Sequence, residues 1–288
     1  MARHTAPPRK SAFKAKRTRR SSKFTWTCIL TVAFAAAVVL FITFAGKGNR
    51  TADDSQEPGA RRLDYEVVKS YPHDPGAFLQ GLVWHEGGFY ESTGQYGMST
   101  LRRVEFPSGK ILKSISLSPD LFGEGLALAG KRLIQLTWKS KRGFVYDRNS
   151  FGLLREFTYD TEGWGLTCDG RQLIMSDGSS HLTFLDPDSF APVRKLPVTM
   201  DGRPVENLNE LEFIEGEIWS NVWLTDLIVR IDPGNGRVNS FLDLKGILPA
   251  GMRSGSEDVL NGIAYDARQK RIFVSGKLWP RIFEIRVK

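Results

Sequence analysis

The 288-residue sequence has little of the side-chain chemistry that disulfide scaffolds and zinc sites require. It contains two cysteines, Cys28 in an apolar segment and Cys168 far along the chain, so we expect no intrachain disulfide. Its four histidines are scattered and form no cluster with cysteine at metal-ligand spacing. The sequence therefore predicts no metal ligands.

Acidic residues are absent from the first 24 residues, which carry nine lysines and arginines. Subtracting these nine charges from the net charge of +8 leaves −1 for the rest of the chain. A nucleic-acid-binding domain would carry its excess positive charge on the fold itself. The sequence therefore argues against nucleic acid as a partner, and its 41% hydrophobic content excludes wholesale disorder.

Charged side chains are also absent from residues 24–46, which are almost wholly apolar. About 20 such residues span a bilayer core of roughly 30 Å, whereas a cleavable signal peptide has an apolar region of about 7–15 residues. We therefore expect an uncleaved transmembrane signal anchor, although Phe44-Ala45-Gly46 leaves cleavage open. The basic tail, residues 1–23, predicts a cytoplasmic N-terminus and a single-pass protein whose bulk lies on the outer, periplasmic or extracellular side. Residues 47–63 are polar and are predicted to be a linker.

Long helical patterns are absent from residues 64–288, where a short motif of polar and small residues before an apolar run recurs instead. Taken at residues 81, 125, 165, 210 and 262, its spacings are 44, 40, 45 and 52 residues. Periods of about 40–50 residues with several strands in each unit are typical of a β-propeller. We therefore predict an all-β fold, a five-bladed β-propeller over residues 64–288. A many-stranded β-sandwich is the alternative, but it does not explain a repeat of this length.

The last repeat ends at Lys288 without a return strand, while the segment from Tyr65 to Ser70 resembles the fourth strands of the other repeats. We predict that this N-terminal strand pairs with the last blade and closes the ring, which would hide the edges of an open sheet.

Five residues begin the innermost strands and should crowd around one mouth of the central channel. They are Gln80, Glu124, Trp164, Asn209 and Asn261. Such residues are often structural, but several aromatic residues lie near the same repeat positions: Phe78, Trp138, Trp164, Trp223 and Trp279. Aromatic walls beside a few polar groups describe a small-molecule pocket. We therefore expect a ligand site at this mouth.

Eight short motifs in order resemble the plant-type glutaminyl cyclases, also called glutaminyl-peptide cyclotransferases, and we expect a bacterial member of this family. The motifs are Phe78-Leu79-Gln80-Gly81-Leu82, Tyr90-Glu91-Ser92-Thr93-Gly94, Glu124-Gly125-Leu126, Leu136-Thr137-Trp138, Glu162-Gly163-Trp164-Gly165-Leu166, Asn207-Leu208-Asn209-Glu210-Leu211-Glu212, Asn221-Val222-Trp223 and Gly276-Lys277-Leu278-Trp279-Pro280. The resemblance runs from about Tyr65 to Lys288, and the basic tail and anchor lie outside it. It implies a five-bladed propeller, in agreement with the repeat.

The resemblance also implies an activity, the conversion of the N-terminal glutamine of peptides and proteins to pyroglutamate with release of ammonia. It implies that Glu124 is the proton shuttle and that Lys277 polarises the amide oxygen or binds substrate carbonyls. Gln80 and Asn209 match residues that bind the amine and amide of the substrate. Aromatic walls of the substrate site are implied at Phe78, Trp138, Trp164 and Trp223.

Two other classes of protein remain open at this point. In a calcium-dependent propeller hydrolase of the lactonase kind, Glu124, Asn209 and Asn261 would be oxygen ligands of the ion. In a non-catalytic propeller, the same surface would bind a protein partner. For the cyclase we expect no cofactor in the chemistry, although a structural ion in the central channel is compatible with it.

Overall fold

The structure, a computed structural model, describes residues 59–288. The predicted basic tail, the predicted anchor and most of the predicted linker lie outside the described residues. From residue 59 onward, no helix combines the length and the apolar character needed to cross a membrane.

Two strands precede the repeats: β1 (Arg61–Leu63) and β2 (Tyr65–Pro72). The repeats then form a ring of five antiparallel sheets, the predicted five-bladed propeller. Blade one consists of β3 (Leu79–His85), β4 (Gly88–Thr93), β5 (Thr100–Glu105) and β6 (Ile111–Ser116). Blade two consists of β7 (Gly123–Ala129), β8 (Arg132–Thr137), β9 (Arg142–Asp147) and β10 (Leu153–Thr158).

The remaining blades follow the same order from the innermost strand outward. Blade three consists of β11 (Leu166–Cys168), β12 (Leu173–Ser176), β13 (His181–Leu185) and β14 (Pro192–Pro197). A small hairpin of β15 (Thr199–Met200) and β16 (Arg203–Pro204) leads to blade four, β17 (Leu208–Ile214), β18 (Glu217–Val222), β19 (Leu227–Ile231) and β20 (Val238–Asp243). After a 3₁₀ turn at Ala250–Met252, blade five adds β21 (Leu260–Asp266), β22 (Arg271–Gly276) and β23 (Arg281–Val287).

The fifth blade takes its outermost strand from the beginning of the described chain. Strand β2 pairs antiparallel with β23 from Tyr65 opposite Val287 to Pro72 opposite Arg281, where the sequence predicts the closing strand. The Tyr71 hydroxyl donates to Oε2 of Glu284 across this junction over 2.7 Å. The ring is therefore held together by strand pairing between its two ends.

The predicted linker, residues 47–63, is too long at its C-terminal end. Strand β1 pairs in parallel with β20, so blade four has five strands instead of four. The sequence does not indicate this strand because Arg61 and Arg62 are polar and exposed. Strand β1 contributes to the blade mainly through main-chain pairing along its edge. Only Leu63, which is 4% exposed and packs with Leu242, joins the core.

The hydrophobic core lies between blades rather than inside any one of them. Strand β8 is buried at five consecutive positions, from Leu133 to Thr137, because a neighbouring blade covers each of its faces. The outer strand β10 of the same blade is buried only at Phe157. Burying a large aliphatic side chain contributes about 1.5–3 kcal/mol, so the stacking of blades is the main source of stability.

Candidate active site

Four polar side chains reach the mouth of the channel from irregularities in the innermost strands. The pairing of β3, β7, β17 and β21 with the next strand shifts register at Gln80, Glu124, Asn209 and Asn261. A β-bulge of this kind bends the strand and re-aims a side chain that would otherwise face a neighbouring blade. All four residues are buried, with at most 5% of their surface exposed.

Close packing of the innermost strands depends on the glycine beside Glu124. A Cβ atom at Gly125 would lie 2.5 Å from the main-chain nitrogen of Leu166 in the next blade. The N–H of Gly125 donates to the carbonyl of Trp164 over 2.6 Å. Because no other residue fits there, Gly125 fixes Glu124 and Trp164 at adjoining positions of the mouth.

The eight residues predicted for the site line one cavity of about 270 Å³. Their roles in a reaction stay predictions, but the structure brings all of them together. The lining is formed by Phe78, Gln80, Phe122, Glu124, Trp138, Trp164, Asn209, Trp223, Asp258 and Lys277.

A directed chain of hydrogen bonds ends on Glu124. Asn261 donates its Nδ2 to the carbonyl of Leu79 over 3.0 Å and to Oε1 of Gln80 over 3.1 Å. Gln80 in turn donates its Nε2 to Oε1 of Glu124 over 2.8 Å. One oxygen of the buried carboxyl group therefore already has a protein donor.

Charge and burial oppose each other at Glu124 and Lys277. Burial raises the pKa of Glu124 well above its ordinary value, and the charge of Glu162 raises it further, while Lys277 acts in the opposite direction. Burial also lowers the pKa of Lys277, against the effect of Glu124 and Asp258. The Lys277 ammonium group lies 5.0 Å from the ring centroid of Phe78. Burial therefore disfavours the charged form of both groups, while the charge of each group favours the charged form of the other.

Two asparagines at the mouth each retain a side-chain oxygen that can accept a hydrogen bond. Oδ1 of Asn209 and Oδ1 of Asn261 are buried and have no hydrogen-bond partner among residues 59–288. A buried acceptor without a partner costs about 1–3 kcal/mol. Since Asn209 lines the cavity, a ligand N–H is a suitable partner for its oxygen.

Aromatic rings form the walls of the cavity in two groups. Phe122 contacts Phe78 at 5.9 Å and Trp138 at 5.5 Å between ring centroids, in both cases edge to face. On the other side, Trp164 and Trp223 meet at 5.4 Å and 89°. Such pairs contribute about 0.5–1.5 kcal/mol beyond the area they bury, so the walls are ordered before a ligand arrives.

Sequence reasoning missed Phe122 and Asp258 as lining residues. The sequence pattern could have identified Phe122, because it lies two residues before Glu124 just as Phe78 lies two residues before Gln80. Asp258 lies in a polar segment where no pattern distinguishes it. The expectation that Trp279 belongs to the aromatic group of the pocket is wrong. Its ring covers Gly276, its Nε1 donates to the carbonyl of Asp258, and it is 2% exposed in the core between blades four and five.

Within residues 59–288, no three His, Cys, Asp or Glu side chains are grouped so that they could hold a metal ion.

The sequence matches the family described as glutamine cyclotransferase over residues 38–287. The chain belongs to this family. The match begins before the propeller, so the resemblance extends further toward the N-terminus than the motifs predict. A glutaminyl-peptide cyclotransferase of Arabidopsis thaliana is 38% identical over 286 residues, covering 98% of this chain and 89% of the plant protein.

A solved structure agrees with the family membership. The crystal structure of Myxococcus xanthus glutaminyl cyclase is 40% identical, with a TM-score of 0.74, and the match covers 80% of this chain and 98% of that one. The family membership and the five-bladed propeller that the sequence predicts are therefore both confirmed.

Proposed function

We propose that this member of the glutamine cyclotransferase family is a glutaminyl-peptide cyclotransferase, which converts the N-terminal glutamine of peptides and proteins to pyroglutamate. The observation that carries the proposal is a buried carboxyl group, Glu124, whose pKa is raised by burial inside a cavity walled by aromatic rings. The named relatives support the same reaction.

The bond changes of the reaction involve only the substrate and a proton carrier. The α-amine nitrogen attacks the side-chain amide carbon, a C–N bond forms, and a five-membered ring closes. The bond from that carbon to the amide nitrogen then breaks. The amine gives up one proton, the leaving nitrogen gains one, and ammonia departs. An acid/base group placed between the two nitrogens contributes about 10²–10⁴ in rate.

Glu124 is suited to this transfer because burial raises its pKa well above the ordinary value and so favours the protonated acid. Since Gln80 already donates to Oε1, the proton of the neutral acid belongs on Oε2. From there Glu124 donates to the leaving amide nitrogen and takes up a proton from the attacking amine. Its protonation state is therefore the same before and after each turnover.

Lys277 is assigned the stabilisation of negative charge on the amide oxygen. Its ammonium group is buried beside Phe78, where a hydrogen bond to an oxyanion is stronger than in water. Asn209 is assigned the substrate amine, because its buried Oδ1 has no other partner in the described chain. The rings of Phe78, Trp138, Trp164 and Trp223 hold the glutamine side chain folded toward its own amine.

The test is ammonia release from a peptide that begins with glutamine, with pyroglutamate confirmed by mass spectrometry. Two control peptides have the same sequence, one acetylated at its amine and one beginning with asparagine. The first lacks the nucleophile and the second cannot form the five-membered ring. Release from the glutamine peptide alone supports the proposal, and equal release from the acetylated peptide contradicts it because amide hydrolysis would explain it.

We further propose that the chemistry requires no metal ion, while a structural ion in the channel remains compatible with it. Turnover is then retained after dialysis against EDTA. Loss of turnover with a retained fold, and its recovery on adding calcium, would favour a calcium-dependent propeller hydrolase and contradict the proposal.

The apolar segment of residues 24–46 is the basis for a last proposal, that the protein is anchored in a membrane with its propeller on the outer side. In cells, the full chain is then expected to stay with the membrane fraction after an alkaline carbonate wash. A chain that begins at Gly59 is expected in the soluble fraction. An N-terminus near residue 47 on the isolated protein would instead indicate a cleaved signal peptide.

A further inference from the structure

Glu162 is not among the residues that line the cavity, but it contacts two of the aromatic rings that do, Trp138 and Trp164. It is two residues before Trp164, the repeat position that Phe78 and Phe122 occupy in the first two repeats. The first two repeats have a phenylalanine at this position, whereas the third repeat has a glutamate.

A single oxygen of Glu162 accepts hydrogen bonds from two wall residues. Nε1 of Trp138 donates to Oε2 over 2.6 Å, and Nε1 of Trp164 donates to the same atom over 3.0 Å. The two indoles come from different blades. Hydrogen bonds to an ionised acceptor are about twice as strong as those between neutral groups, so this shared oxygen holds the two blades together. We call Glu162 and its two hydrogen bonds to the indoles the Glu162 joint.

The Glu162 joint connects the two groups of aromatic rings that form the cavity wall. On one side, Phe122 contacts Trp138, and on the other Trp164 contacts Trp223. Within the described chain, no ring pair joins Trp138 to Trp164, and the carboxylate of Glu162 supplies the link. The four rings and the carboxylate therefore form one continuous wall.

We propose that Glu162 is a positioning residue, which fixes the indoles of Trp138 and Trp164 relative to each other so that the glutamine side chain is held in its cyclising conformation. This rests on the proposed function, because the wall matters only if the cavity takes that substrate. The negative charge of Glu162 also acts on Glu124, adding to the effect of burial in raising the pKa of that group. The contact with the two indoles is nevertheless the basis of the assignment.

The role can be measured without any turnover. In the full chain labelled with ¹⁵N-tryptophan, Glu162→Gln and Glu162→Ala should shift the indole N–H signals of both Trp138 and Trp164, assigned with the Trp138→Phe and Trp164→Phe variants. The shift should be larger for alanine, which offers no acceptor. Trp279 donates to a main-chain carbonyl elsewhere, so its signal should stay in place. Glu156→Gln is the matched control, since Glu156 forms an ion pair with Arg142 in blade two and both side chains are exposed.

Kinetics then connect the joint to catalysis. Displacement of a positioning group by about 1 Å can cost roughly 10²-fold, so kcat/KM should fall by about that factor in Glu162→Ala and by less in Glu162→Gln. Most of the loss should appear in kcat. Unmoved Trp138 and Trp164 signals would overturn the proposal, as would moved signals with kcat/KM within twofold of the wild type. A rise in KM alone with unmoved signals would instead indicate direct substrate contact. If the wild type releases no ammonia, the proposed function fails, while the indole signals still decide whether Glu162 holds the wall.

Discussion

Gln80 donates to Glu124, and the direction of this hydrogen bond is set from outside the pair. Because Asn261 donates to the main-chain carbonyl of Leu79, its amide nitrogen also faces Gln80. Gln80 must then present its oxygen to Asn261 and its nitrogen to Glu124. A backbone carbonyl therefore determines which oxygen of the buried acid is left to carry a proton.

Replacing that acid tests the proton transfer directly. Glu124→Gln keeps the size of the side chain and an Oε1 acceptor for Gln80, but it cannot exchange a proton. We expect kcat on a glutamine peptide to fall by about 10²–10⁴, with the thermal midpoint little changed. A loss of less than about tenfold would remove Glu124 from the mechanism, and a parallel loss of folding would indicate a structural role.

Stability should depend on pH through Glu212 in β17, whose half-buried side chain contacts the innermost strands of blades three and five. Burial raises the pKa of Glu212 to about 8, although Tyr265 and Thr167 donate hydrogen bonds to it. The folded state then binds a proton that the unfolded chain releases near its ordinary value of 4.5. The contribution of Glu212 is most favourable below that value and is lost as the pH rises toward 8.

We therefore expect the thermal midpoint of the wild type to fall between pH 5 and about pH 8. In Glu212→Gln the side chain is neutral at every pH and keeps an acceptor for Tyr265, so the fall should be smaller. Thermal unfolding over a pH series measures this, with exposed Glu156→Gln as the control. An unchanged slope in Glu212→Gln would mean that this group does not titrate in the folded protein as proposed.

A second buried pair links blade one to the loop that carries Lys277. Nε2 of His73 lies 3.3 Å from Oε1 of Glu91, both side chains are 1% exposed, and Nδ1 of His73 contacts the Trp279 carbonyl at 2.6 Å. Burial opposes the charged ring, but Glu91 and the Trp279 carbonyl together raise the pKa of His73 above its ordinary value.

Replacing one member of this pair should lower the free energy of unfolding more than replacing both members. His73→Leu leaves the Glu91 carboxylate buried without a counter-charge, and we expect a loss of about 3–5 kcal/mol in the free energy of unfolding. The double variant with Glu91→Leu should lose less than His73→Leu alone, because no charge is then left unpaired. Denaturant unfolding of both single variants and the double variant measures the coupling. Additive losses would show that the two side chains do not interact.

Closure of the ring can be tested by shortening the chain in two steps. A chain that begins at Gly59 retains β1 and β2 and should fold with unchanged turnover. A chain that begins at His73 lacks the strand that pairs with β23, so the edge of blade five is open and we expect no cooperative unfolding transition. A stable, cooperative protein from the shorter chain would show that the pairing of β2 is dispensable.

The sequence repeat predicted the blades and the residues at the channel mouth, because corresponding residues of each repeat occupy the same position relative to the channel. This correspondence placed Gln80, Glu124 and Asn209, and it also places Phe122 once the residue two positions earlier is compared. It could not separate Trp279 from the other tryptophans, since whether a ring turns into the cavity or over Gly276 depends on the local loop. Nor could it find the Glu162 joint, which depends on two indoles that the sequence keeps 26 residues apart, at 138 and 164.

The closing strand also brings the end of β23 beside the residue that precedes β2. The N–H of Lys288 donates to the carbonyl of Asp64 over 2.9 Å. The order of the blades around the axis is thus independent of where the polypeptide is cut. A circular permutant in which a short glycine-rich linker joins Lys288 to Gly59, with new termini in an exposed hairpin such as Gly130-Lys131, should keep the same ring and the same cavity.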